Sequence, residues 1–143
     1  METEKSDKGI QWYIGIKKIE AWPAEKDGEN GYTVSYGDGY VSWSPRDVFE
    51  KAYLPIGLNG TKITQETVDA FMGEITASKF DEKTTIVVAD TFTGFKQYEV
   101  SSCVDPANYD EEIGKQIGTR RIEDTVWKCL GFALQWANFG LKK

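Results

Sequence analysis

The 143-residue chain has 40% hydrophobic and 28% charged residues, a composition typical of one globular domain and unlike that of disordered or fibrous proteins. It contains five Trp, seven Tyr and seven Phe but no His, so the commonest general base and metal ligand is missing. A net charge of −6 disfavours duplex nucleic acid as a partner, because binding to a duplex depends on clustered Lys and Arg.

The start of the sequence is polar and charged, with no apolar run behind it. The polar residues 1–9 are expected to be a disordered tail, followed by a single α+β domain over residues 10–143. No signal peptide or membrane span is visible, and Cys103 and Cys129 are too few for a disulfide scaffold or a four-thiolate zinc site. We therefore expect a cytosolic protein without metal or cofactor, in which both cysteines pack as small buried side chains.

The first half of the sequence predicts an antiparallel sheet. Gln11–Ala21 alternates polar and apolar residues as an amphipathic strand does, and Pro23 is expected to end it. The turn-rich Glu25–Gly31 is expected to be a connector. Gly31–Trp43 then has the pattern of a hairpin, with Asp38-Gly39 as the pair favoured by a tight turn with positive φ angles.

Two helices and a second hairpin are predicted next. Ser44 is a candidate N-cap with Pro45 at the first helical position, so a short helix is expected over Pro45–Tyr53. Thr64 is the candidate N-cap of a second helix, and Lys83–Val100 has the β-branched run and the turn of a hairpin. The apolar residues at helical spacing after Thr64 are Val68, Phe71, Met72 and Ile75.

A long C-terminal helix is predicted from Pro106 to about Asn138, with Asp105 as its cap. Unbroken, it spans about 50 Å, whereas a compact chain of this size is ~40 Å across. We therefore expect two chains to dimerise through it, and a kink near Gly118 or Gly131 is the alternative. Its apolar stripe is Ile113, Ile117, Ile122, Val126, Trp127, Leu130, Ala133 and Leu134.

No catalytic constellation is visible in the sequence. Serine or cysteine catalysis needs an adjacent base, and the chain has no His. The acidic residues between 105 and 112 suit helix caps better than a paired-acid hydrolase, and no phosphate loop is present. The chain is therefore not expected to be an enzyme.

The best candidate binding element is Tyr98–Tyr109, a strand end that enters a helix. Free N–H groups at a helix start can receive phosphate, and Ser102 and Asn108 add uncharged donors. Because Asp105 would repel an anion unless it caps the helix, a plain strand–cap–helix junction is the alternative interpretation.

Arginine and aromatic side chains extend this candidate site. Arg120 and Arg121 point about 100° apart on the helix, so one of them can grip a phosphate. A solvated face, or pairing with Glu123 or Asp124, is the alternative. Four aromatic rings at turns and strand ends are expected to be exposed and able to stack on bases: Trp43, Phe92, Phe95 and Tyr98.

Two stretches are similar to phage proteins. Gly31–Pro55, with the core DGYVSWSPRDVFEKAY, resembles a segment near the start of small phage-encoded proteins. Ile63 to the end, centred on Ser102–Gly114 and Val126–Phe132, resembles a family of short phage proteins. Together they resemble the first type of Thoeris anti-defence protein. Such proteins act as sponges in the infected bacterium: they bind the glycocyclic ADP-ribose signal of a TIR-domain enzyme without cleaving it, and related members take up cyclic oligonucleotides.

The resemblance implies an antiparallel sheet followed by helices, assembled as a homodimer or higher homo-oligomer with nucleotide pockets near subunit contacts. It implies Tyr98 and Phe95 as ring platforms, Asn108 as a reader of base or ribose, and Arg120 or Arg121 as the phosphate grip. The expected architecture is α+β: an N-terminal antiparallel sheet with a short helix, then a helix, a β-hairpin and a long C-terminal helix that dimerises.

Other functions stay open at this point. One alternative is a phage structural or assembly accessory protein with no small-molecule ligand. The long amphipathic helix also fits that role. Cleavage of the signal has no acid–base pair to support it, and the aromatic residues also fit single-stranded nucleic acid.

Overall fold

The computed structural model describes residues 8–142, so residues 1–7 of the predicted tail lie outside the described part of the chain. The fold is α+β, as predicted, with two three-stranded antiparallel sheets of order β1-β2-β3 and β4-β5-β6. The elements in chain order are β1 (Glu20–Lys26), β2 (Glu29–Ser35), β3 (Val41–Pro45), α1 (Arg46–Ala52), α2 (Gln65–Phe71), β4 (Met72–Asp81), β5 (Thr84–Thr91), β6 (Gln97–Ser102), a 3₁₀ turn (Pro106–Asn108) and α3 (Glu111–Phe139).

The first sheet is built from two tight hairpins. Asp27 and Gly28 both have positive φ, 53° and 81°, and connect β1 directly to β2, so that Lys26 pairs with Glu29. The predicted hairpin around Asp38-Gly39 is present and joins β2 to β3, but its loop spans residues 36–40, and the positive φ angles fall on Gly37 and Gly39 rather than on Asp38.

The predicted strand over Gln11–Ala21 is wrong in position, because the strand begins at Glu20 and residues 11–19 lie in no helix or strand. Glu25–Gly31 is likewise not a connector, since most of it belongs to β1 and β2. The Asp27-Gly28 turn fixes the pairing, and Pro23 is tolerated inside β1 because β1 is an edge strand.

The short helix α1 is confirmed, and it packs on β2 through aromatic rings. The Tyr32 and Phe49 rings stack with centroids 4.1 Å apart, beside the fully buried Val34. The predicted N-cap is wrong: Pro45 occupies the cap position without a side-chain cap, and the Ser44 hydroxyl donates instead to the carbonyl oxygen of Pro45.

A carboxylate ties α1 to the first sheet. The Glu50 Oε1 atom accepts hydrogen bonds from the Tyr32 hydroxyl at 2.9 Å and from the Arg46 Nε at 3.1 Å. These two bonds, that from Tyr32 foremost, lower the pKa of Glu50.

The predicted Thr64 cap is confirmed, with a capping box between Thr64 and Thr67. The helix ends at Phe71, however, and Met72–Asp81 is strand β4, which the prediction of a helix through Ile75 missed. β4 pairs with β5, so the predicted hairpin of β5 and β6 is part of a three-stranded sheet with β5 at its centre.

Helix α3 lies across the second sheet at unusually short range. A Cβ atom added to Gly118 would lie 2.4 Å from Val87 Cγ2, and one added to Gly114 would lie 2.4 Å from Thr85 Oγ1. Farther along the helix, three residues enter the core with Val68, Val87 and Ala89: Ile122, Val126 and Leu130.

The long helix is confirmed with a different start. Pro106–Asn108 forms a separate 3₁₀ turn, and α3 begins at Glu111 with Asp110 as its cap. α3 is continuous over 29 residues, and the helix is not interrupted at Gly118 or Gly131. At ~1.5 Å per residue the helix spans about 43 Å. Among residues 8–142, no helix is both long and apolar enough to cross a membrane.

We predict that Gly118→Ala lowers the free energy of unfolding by about 1–3 kcal/mol, because its methyl group overlaps Val87. Gly131→Ala is the matched control, since nothing lies within 4 Å of its added Cβ. Because Ala has a better helix propensity than Gly, Gly131→Ala should raise the free energy of unfolding by about 0.5–1 kcal/mol. Urea unfolding followed by circular dichroism measures both. Equal effects of the two substitutions would contradict the close packing of α3.

We predict that Glu50→Gln lowers the free energy of unfolding by an amount that depends on pH. Because the folded state lowers the pKa of Glu50, its carboxylate stabilises the fold fully above the unfolded value of about 4.3. That contribution is lost as the pH falls through the lower, folded pKa. The variant should therefore be less stable than the parent at pH 7, and the difference should shrink toward pH 3. Urea unfolding monitored by tryptophan fluorescence measures it, with the exposed Glu25→Gln as control. A difference that does not change with pH would contradict the assignment.

Candidate functional site

One face of the second sheet is covered by α3 and the other is not. Thr85 and Val87 meet α3, so side chains in the alternate positions of β5 point to the opposite, outer face. Val88 pairs with Tyr98, and Ile86 pairs with Val100. These cross-strand pairs place the Tyr98 ring on the outer face, where 62% of the residue is exposed.

Arg121 reaches the same strand from the helix. Its Nη1 donates a hydrogen bond to the carbonyl oxygen of Val100 at 3.1 Å, while the residue as a whole is exposed. The guanidinium therefore lies at β6, two residues along the strand from Tyr98. Arg120 is also exposed, and it projects from the helix about 100° away from Arg121.

Phe95 lies in the turn that leads into β6. It is 73% exposed, and the turn is fixed because the Thr91 hydroxyl donates to the Phe95 carbonyl oxygen at 2.5 Å. The Phe95 N–H also donates to the Thr93 hydroxyl at 3.3 Å. Phe92, on the other side of this turn, is exposed as predicted. Phe95 in this turn, Tyr98 on β6 and the Arg121 side chain at Val100 thus lie at different points along the same strand and its leading turn.

Ser102 and Asn108 lie at the far end of β6. The Ser102 hydroxyl pairs with the Thr84 hydroxyl at 2.9 Å, which links β6 to β5. Four residues of strand, about 13 Å, separate Ser102 from Tyr98. Asn108 is exposed in the 3₁₀ turn beyond. These two residues are therefore not grouped with Tyr98 within one chain.

Trp43 belongs to the first sheet and packs there. Its indole N–H donates to the Ala24 carbonyl oxygen at 2.9 Å, and the ring lies against the backbone of Gly31. Lys26 Nζ is 5.7 Å from the ring centroid. The ring is half-buried rather than exposed, contrary to the expectation for a residue just before a helix.

The helix start is occupied by the chain's own carboxylates. The Asp105 Oδ1 atom accepts from the Ala107 N–H at 2.9 Å, and the Asp110 Oδ1 accepts from the N–H groups of Glu112 and Ile113. The interpretation as a strand–cap–helix junction is therefore favoured over a phosphate site, and Arg121 is a cation that lies at β6.

The cysteines differ from expectation. Cys103 is half-buried, and its thiol donates to the Asp105 carbonyl oxygen at 3.2 Å. Cys129 is exposed rather than packed in the core. Within the described chain, no group of three or more Cys, Asp or Glu residues is arranged to hold a metal ion.

α3 carries a second row of apolar side chains that the predicted apolar stripe did not include. Its signal was present in the sequence as alternating spacings of three and four residues, which is the repeat of a helix seam. Phe132 and Phe139 are exposed, and the Phe132 and Trp136 rings meet edge to face at 6.2 Å. We call this line the α3 seam: Cys129, Phe132, Trp136 and Phe139.

Comparison with known proteins places the chain in a family. No curated protein and no solved structure matches it. One family model, described as phage protein (N4 Gp49/phage Sf6 gene 66), matches residues 59–137, which include α2, the second sheet and most of α3. This match covers more than half of the 143 residues, and the chain therefore belongs to the phage protein (N4 Gp49/phage Sf6 gene 66) family.

Proposed function

We propose that this phage protein binds and sequesters, without cleaving, a glycocyclic ADP-ribose signal produced by a TIR-domain enzyme, and so blocks Thoeris immunity in the cytoplasm of the infected host. Membership of a phage protein family and the resemblance of Gly31–Pro55 and of Ile63 onward to Thoeris anti-defence proteins support this proposal.

The observation that carries the proposal is that Tyr98 and Arg121 both lie at β6, the ring on the outer face of the sheet and the guanidinium at the Val100 carbonyl oxygen two residues along the strand. An exposed phenol ring offers a stacking surface for a base at about 1–3 kcal/mol. The Arg121 guanidinium gives one N–H to Val100 and has further N–H donors for a phosphate. Phe95 adds a second exposed ring in the turn before the same strand. A planar base linked to a pyrophosphate is the kind of ligand that this combination suits.

Binding without hydrolysis follows from the residue types available. The sequence has no His to act as a general base, and Asp105 and Asp110 are engaged as caps. Stacking and charge pairing need no proton transfer, so aromatic rings and an arginine are sufficient for sequestration.

The proposed active form is a homodimer. The α3 seam offers apolar residues at coiled-coil spacing, so we propose that two α3 helices pack along it.

We predict that the protein binds glycocyclic ADP-ribose and that heating the complex releases the ligand intact. Tyr98→Ala should weaken binding about 5- to 150-fold, and Arg121→Ala about 10- to 150-fold, from the loss of a stacking ring and of a charge-assisted contact. Calorimetry measures the affinity, and mass spectrometry identifies the released ligand.

Tyr40→Ala is the matched control, because Tyr40 is equally exposed but lies in the turn between β2 and β3. The affinity of the Tyr40→Ala variant for glycocyclic ADP-ribose should equal that of the parent protein. Hydrolysed product would contradict sequestration and favour an enzyme. The absence of any binding, together with recovery of the protein in virions, would favour an assembly accessory protein instead.

We predict that Phe132→Ser converts the dimer into monomer, because it removes a central ring of the α3 seam. Phe80→Ser is the matched control: Phe80 is 70% exposed and Phe132 is 69% exposed, but Phe80 lies on β4. Sedimentation equilibrium at micromolar concentration distinguishes the two species. A parent protein that is monomeric, or a Phe132→Ser variant that stays dimeric, would contradict the seam.

A further inference from the structure

We infer that residues 10–16, here called the arm, dock on a second copy of the chain, with Trp12 seated in a cleft beside the C-terminal half of α3. The inference uses the proposed homodimer but does not depend on any nucleotide ligand.

The arm is largely apolar, and most of its side chains are exposed. Trp12 is 94% exposed, and Tyr13 and Ile14 are both at least 80% exposed. Together with Ile10 these side chains present roughly 600 Å² to water, given that a large aromatic side chain alone buries 150–250 Å². An apolar stretch of this size marks an interaction surface.

The base of the arm is fixed close to the end of α3. Lys18 Nζ donates to the Gly60 carbonyl oxygen at 2.8 Å, and Asn138 Nδ2 donates to the same oxygen at 3.3 Å. Lys17 Nζ lies 5.2 Å from the centroid of the Tyr36 ring. The Lys18 contact holds the base of the arm near the C-terminal half of α3, where the α3 seam lies, and the Lys17 contact ties it to the first sheet.

A cleft opens beside the same part of α3. Its volume is about 250 Å³, below the ≈ 300–1,000 Å³ of pockets for drug-sized ligands but large enough for an indole. Its apolar lining comes from both the loop before α2 and the helix: Ile63, Trp127, Leu134 and Phe139.

A second copy is the occupant that the areas favour. In a dimer with two-fold symmetry each chain would give one arm and receive one, so the arms alone would cover roughly 1,200 Å² per chain. This exceeds the ~800 Å² per partner of a standard interface. The base of the arm adjoins the α3 seam, so both contacts belong to one continuous interface.

Disulfide trapping between differently tagged chains tests the inference. In a Cys103→Ser, Cys129→Ser background, one chain carries Tyr13→Cys and the other carries Gln135→Cys at the cleft. We expect a cross-linked heterodimer on mild oxidation, at least tenfold above a mixture with Leu58→Cys in place of Tyr13→Cys. Leu58 is fully exposed outside the arm and is the matched control.

Adding Trp12→Ser to the Tyr13→Cys chain should abolish the cross-link. Because Trp12 is exposed within one chain, its loss should leave the circular dichroism unchanged. A single chain with both cysteines distinguishes docking on its own cleft: a cross-link within that chain at high dilution would overturn the inference. A dimer by sedimentation without any cross-link would also overturn it, leaving the α3 seam and the ligand proposal untouched. Monomeric parent protein would overturn both the arm and the dimer.

Discussion

The close approach of α3 to the central strand β5 is the constraint on which the second half of the fold depends. Two glycines one helical turn apart, Gly114 and Gly118, let the helix backbone rest on Thr85 and Val87. This contact fixes which face of the sheet is covered. Because side chains alternate along a strand, it also fixes which of them point to the uncovered face. Tyr98 is exposed because its neighbours in β6 face the helix.

The fixed position of α3 also brings its polar side chains to the sheet. Arg121 lies three residues beyond Gly118 and bonds to the Val100 carbonyl oxygen on β6. The packing of the helix therefore brings the Arg121 guanidinium to the strand that carries Tyr98, although the two residues come from different elements. The same packing leaves Asn108 and Ser102 at the other end of the strand.

Local signals in the sequence were sufficient for the hairpins, for the Thr64 cap and for the existence of the long helix. The Asp38-Gly39 turn, the Thr64 cap and the aspartate–proline start before the 3₁₀ turn depend on neighbouring residues only. β4 was missed because Val68, Phe71, Met72 and Ile75 fit a helical period, and its strand character comes from pairing with β5. The Asp27-Gly28 turn was present in the sequence, but Pro23 suggested that the strand had ended. For the site, the exposed rings near β6 were predictable, whereas the distance between Tyr98 and Asn108 depends on how β6 lies.

The buried residues of α3 recur every four positions, at Gly114, Gly118, Ile122, Val126 and Leu130. Four residues advance 400° around a helix, about 40° more than a full turn, so the line of burial rotates by about 160° along its length. Phe132 and Trp136 follow Gly114 and Gly118 by eighteen residues, which is five complete turns. They therefore share the angular position of the two glycines. The side of the helix that rests on the sheet at one end is free of the sheet at the other. One surface of a single helix thus supplies the intramolecular contact and also the face that we propose packs on a second chain.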